Sequence, residues 1–254
     1  MFNANHFRPM KPLTKTTWVL CFTIAMGYLE AAVVVYLRAL YYPEGFLFPL
    51  KEMSQTLAVT ELYRELATLV MIFTVGVLAA EHWLHRFAWF LVVFSTWDIA
   101  YYVFLKLLLN WPASWFTTDI LFLLPSIWTG PVIAPVINSL TMLLLAFVIL
   151  YVGHEQKHML KLPAFAWMLL VAGTVFVLVA YMKDFLLYAQ QYRHNHPETD
   201  LDSGAMLMKL SASFIPRNFD WALFFSGVLM HLAAIAFIVI RRMKKRLLKT
   251  EVHP

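Results

Sequence analysis

This chain predicts an all-α, polytopic membrane bundle of about six transmembrane helices, on three observations. Hydrophobic residues make up 61% of the sequence and charged residues 14%, where soluble domains run near a quarter charged. Six long apolar stretches recur along 254 residues, each near the ~20 residues a helix needs to cross a bilayer. Lys and Arg gather in short segments beside alternate ends of those stretches, the asymmetry that sets topology. The abundance of Phe, Trp and Tyr suits a surface that meets acyl tails and headgroups.

The spans are predicted at about 17–42, 57–80, 86–109, 131–152, 163–184 and 220–240, within one transmembrane domain covering 1–254. The first is too long in its apolar core for a cleavable signal peptide and no A-x-A-like site follows it, so it is expected to act as a signal anchor. Short loops between six spans leave no room for a soluble catalytic domain. Arg8, Lys11 and Lys15 precede the first span, Arg86 follows the second, Lys157 and Lys161 follow the fourth, and Arg241, Arg242, Lys244, Lys245, Arg246 and Lys249 follow the sixth. These are twelve of the 20 basic residues, and they place both termini in the cytoplasm. The expected location is the bacterial cytoplasmic membrane, with the lipid bilayer as the first partner and other membrane subunits as further ones. The net charge of +5 is accounted for by topology, so nucleic acid is not an expected partner.

On the opposite side, residues 110–135 hold three Trp and four Pro. Thr117, Thr118 and Asp119 suit the cap of a short interfacial or re-entrant helix near 117–125, which Pro125 would stop. Residues 190–216 form the longest polar connection. The halves show no inverted repeat of the kind many transporters carry.

Charges inside the apolar stretches are the informative feature, because each costs ~2.5–3.5 kcal/mol at a helix centre unless it faces protein or water. Glu30 and Arg38 lie on the first span, Glu61, Arg64 and Glu65 on the second, and Asp98 and Lys106 on the third. All fall in the extracytoplasmic half. Glu61, Arg64 and Glu65 share one helix face, with Thr68 a turn further, and Ser95, Asp98, Tyr102 and Lys106 form a second stripe. Asp220 and His231 share a face of the sixth span, with Gly227 between them. The near balance of acids and bases is also what a structural ion-pair network would carry. In the functional version the cluster is an outward-facing polar pocket, and Asp98 or Glu30, the deepest acids, is a desolvated carboxyl suited to proton transfer.

Two histidine groups are weaker signals. His154, Glu155 and His158 have the spacing of helical metal ligands, but the neighbouring Glu81, His82 and His85 do not repeat it, and cationic groups at helix C-termini complement the dipole. No metal is therefore expected there. His194, His196, Met206 and Met208 include soft ligands in a connection otherwise expected to be solvated. No cofactor follows from the sequence. With no nucleophile elbow, P-loop or zinc motif, the leading expectation is a non-catalytic subunit or accessory factor of a membrane complex. A proton-coupled carrier of a small solute or lipid comes second, and an intramembrane enzyme acting on a lipid or isoprenoid third.

Overall fold

A computed structural model describes residues 12–154, 162–196 and 209–251, with side chains for 13–150, 162–196 and 209–244. Its helices are α1 (Pro12–Tyr41), α2 (Gln55–Leu78), α3 (Trp83–Leu109), α4 (Ile133–His154), α5 (Ala164–Asn195) and α6 (Trp221–Glu251). Five of them, all but α2, are long and apolar enough to cross a membrane. α2 has 24 residues, but every 18-residue stretch of it contains Glu61, Arg64 and Glu65. Four of the helices, α1, α3, α5 and α6, are longer than the predicted spans. α5 runs eleven residues past the expected limit of 184 and takes in the first residues, 190–195, of what was read as polar connection.

α3 is the axis of the bundle, packing against α1, α2 and α4, while α5 and α6 form a pair that joins through α4. In a bilayer there is little hydrophobic drive between helices, so close packing of small residues does the work. A Cβ on Gly27 of α1 would lie 2.7 Å from Ala100 Cβ and 3.0 Å from the Trp97 carbonyl of α3. α5 and α6 meet where Gly173 and Gly227 face one another. His231 fills the space beside them, its Nε2 3.2 Å from both Thr174 Oγ1 and Leu170 O.

Residues 118–131 correct the sequence reading. The expected short helix is a β-hairpin, β1 (Thr118–Phe122) paired antiparallel with β2 (Trp128–Pro131). A helix of six or so residues stopped by Pro125 gains too few hydrogen bonds to offset its nucleation. Thr, Ile and Phe in β1 and Trp and Thr in β2 favour an extended pleat. Each strand then satisfies the other's backbone, with Asp119 opposite Gly130 and a bulge between Ile120 and Phe122. Gly130 lets the hairpin lie against α5: a Cβ there would come within 3.3 Å of the Phe219 and Tyr181 rings.

The two ends of the bundle differ. Away from the hairpin the core is aliphatic, with Leu91, Ile149, Leu170, Ile235 and Ile238 among its members. At the hairpin end, Arg38, Glu61, Arg64 and Glu65 come together. Asp220 sits outside this group. It caps α6 by accepting from Leu223 N at 2.9 Å and takes Lys183 Nζ at 2.5 Å. The Lys183 hydrogen bond, then the backbone N–H, hold its carboxyl below the usual range.

Candidate functional site

The site grows from the shared face of α2. Arg64 donates from Nε to both Glu61 oxygens at 3.0 Å and from Nη2 to Glu61 Oε1 at 2.6 Å, while Nη1 reaches across to Glu30 Oε1 on α1. Thr68, one turn along, donates to Glu30 Oε2 at 3.3 Å. One guanidinium therefore holds two carboxylates and joins two helices, the forked geometry to which arginine is suited.

The hairpin is tied to three helices by side chains of this cluster. Glu65 of α2 accepts from Leu123 N at 3.0 Å. Asp119 accepts from Tyr102 of α3 at 3.2 Å and lies 3.8 Å from Arg38 Nη2 of α1. Arg38 also stacks over the Trp111 and Phe46 rings, at 4.0 and 4.7 Å from their centroids. Asp119 is 3% exposed, and burial pushes its carboxyl up to about 6 against the opposing pull of Arg38, the Ile120 N–H and Tyr102.

Asp98 differs from Glu30, Glu61 and Asp119. It accepts a 2.8 Å hydrogen bond from Ser139 of α4 and has no ion-pair partner among the described residues. It borders a partly open cavity of about 150 Å³ between α1, α2, α3 and the hairpin, room for about five waters at ~30 Å³ each. Glu30, Glu61, Glu65, Asp98 and Asp119 line it with Arg38 and Arg64. Five carboxyl groups thus face two guanidinium groups. In a low-dielectric site that imbalance has to be met by protons or by a bound cation.

Of the sequence-predicted cluster, Glu30, Arg38, Glu61, Arg64, Glu65, Asp98 and Tyr102 all line this cavity. Lys106 does not. Eight residues past Asp98 it has rotated about 80° round the helix, and its exposed amine donates to the carbonyls of Asn110 at 3.3 Å and Pro112 at 3.0 Å. Glu30, expected to be a candidate for an underpaired acid, is instead held by Arg64 and Thr68. Asp119 takes the place that Lys106 was expected to fill, but as an acid. Sequence reading assigned it to a helix cap, although two β-prone runs separated by five residues with Pro and Ser were a hairpin signal. Ser139 and Trp97, both at the site, were not singled out.

Among the described residues no three His, Cys, Asp or Glu side chains come together to hold a metal ion. Glu155, His158, Met206, Met208 and the His154 side chain lie outside the described residues. His194 and His196 are exposed at the end of α5. Comparison with protein families, curated proteins and solved structures finds no match for the chain.

Proposed function

We propose that this protein is a carrier that binds a small solute in an acidic cavity open to the extracytoplasmic side, with proton uptake at Asp98 coupled to binding. The observation that carries the reading is the Asp98 carboxyl, which borders the cavity with one hydroxyl donor and no cation. A carboxylate so placed is costly when charged and empty, and is relieved by either a proton or a positively charged ligand. Asp119, pushed up to about 6 by burial, adds a second group able to exchange a proton near neutral pH.

The carrier reading takes α2 as a sixth span, so that both termini share the cytoplasm and the hairpin lies outside. Its support is length, since 24 residues rise about 36 Å, and the twelve basic residues clustered on one side. Reporter fusions after Lys161 and Lys249 are expected to read cytoplasmic, and fusions at Asp119 and Asp200 extracytoplasmic. The opposite pattern would turn the cavity towards the cytoplasm and remove the outward-facing carrier.

Asp98→Asn tests the chemistry directly. Asparagine keeps the shape and can still accept from Ser139, so the detergent melting temperature is expected to hold while complementation of a deletion strain is lost. The protonated-carboxyl band that titrates in infrared difference spectra should disappear with it. Full complementation by Asp98→Asn would defeat the reading. The accessory-subunit alternative draws on the exposed Val70, Met71 and Phe73 of α2, which a partner helix or lipid would cover. A stoichiometric protein partner after mild-detergent purification would favour it.

A further inference from the structure

We infer that the cavity takes a small amphiphilic amine: an ammonium group at Asp98, an oxygen beside it at Trp97, and a short hydrocarbon part against the apolar wall. This assignment rests on the solute-binding reading above and names its substrate class.

Charge gives the first half of the argument. Arg64 is committed to Glu30 and Glu61, and Arg38 is held by Asp119, Trp111 and Phe46. Glu65 and Asp98 have no ion-pair partner among the described residues and receive only a backbone N–H and a hydroxyl respectively. The cavity is therefore short of positive charge and offers no uncommitted cation to an anion. Their carboxyl groups do not converge with a third to coordinate one metal ion. An ammonium fits better, because one carboxylate beside it is enough and its remaining N–H donors can go to water in the cavity.

Independent support comes from Trp97. It lines the same cavity, it is 5% exposed, and its indole N–H has no hydrogen-bond partner. A buried donor left unpaired is costly, so an acceptor is expected there when the site is filled. A bare alkylamine supplies none, whereas an amino alcohol or its ester places an oxygen two carbons from the nitrogen. Val34, Leu37, Leu50, Met53 and Leu121 are among the apolar side chains of the wall, and Tyr41, Tyr42 and Phe46, which also line it, offer an ammonium aromatic faces.

The test uses the full chain in mild detergent with four branched-alkyl organic probes and two salts. Leucinol carries amine, hydroxyl and hydrocarbon; isoamylamine lacks the hydroxymethyl group, isohexanol the amine, and isocaproate reverses the charge. Calorimetric titration is expected to show saturable leucinol binding, about tenfold tighter than isoamylamine, since a donor left unpaired costs on that scale. Isohexanol and isocaproate should not bind. Trp97→Phe should bring leucinol down to the level of isoamylamine and leave isoamylamine unchanged. Asp98→Asn should weaken both amines. Binding of isohexanol or isocaproate as tight as leucinol, displacement of leucinol by sodium or calcium at equal concentration, or no amine binding at all would overturn the assignment. So would a leucinol preference that survives Trp97→Phe, a result that does not depend on how well the Asp98 variant folds. Loss of amine binding with the Asp98 infrared titration and phenotype intact removes the amine alone. Loss of all three removes the carrier reading as well.

Discussion

Arg64→Ala is expected to lower the detergent melting temperature more than removal of any other charge in the cluster. The guanidinium is the shared partner of Glu30 and Glu61, whose side chains are each 12% exposed. Without it two carboxylates remain in a site that excludes most water. Breaking a buried pair in this way costs about 3–5 kcal/mol, and the 22% exposure of Arg64 places the expected loss near the lower figure, since water can partly replace it. The loss comes from stranded charge rather than from a missing attraction. Adding Glu30→Gln and Glu61→Gln to Arg64→Ala should therefore restore much of the stability, a non-additivity that the combined variants measure. Lys183→Ala is the control. Its pair with Asp220 is at the surface, with Lys183 46% exposed, and such pairs contribute about 0–1 kcal/mol. Equal melting of the Arg64 and Lys183 variants would mean that the cluster is hydrated and contributes no structural strength.

Gly227→Leu is expected to separate α5 from α6 and leave little folded protein. Even a Cβ at this position would lie 2.6 Å from the Gly173 carbonyl and 2.8 Å from Val177 Cγ2. The nearer obstacle is backbone, so no rotamer change relieves it and one helix has to move. Overpacking by a few methylenes costs about 1–3 kcal/mol even where side chains can adjust; here the displacement also breaks the contacts of His231 with Thr174 and Leu170. Gly227→Ala should show an intermediate loss. Ala233→Leu, on the exposed face of the same helix, should melt like the parent. Gly227→Leu melting alongside Ala233→Leu would show that the two backbones do not depend on this approach.

The same two regions show how far the sequence could be read. A 3.6-residue period placed Glu61, Arg64, Glu65 and Thr68 on one face, and that face does converge on Glu30. Periodicity is a property of one helix, so it needs no knowledge of neighbours. The Asp98 stripe reaches the cavity at Tyr102 but not at Ser95 or Lys106, because drift round the helix accumulates along the stripe and a long amine can turn back to free carbonyls. The hairpin was missed for a related reason. Residues 117–125 carry cap and apolar signals that fit a short helix locally, but the strand that stabilises the alternative begins at Trp128, so the hairpin signal lies in the two runs taken together and not in 117–125 alone.

By itself the sequence determined that the chain is a bundle of long apolar helices with the charges of those stretches gathered towards one end. Those properties follow from composition and from the cost of burying a charge in hydrocarbon, which act residue by residue. Tertiary structure decided which charges meet. It gave Arg64 to Glu30 and Glu61, exchanged Lys106 for Asp119, folded residues 118–131 into a hairpin across the cluster, and left Asp98 with a single hydroxyl. Pairing energies depend on separations of a few ångströms between different helices. Such distances are fixed by where Gly27, Gly173 and Gly227 allow backbones to approach, and only the packed bundle specifies them.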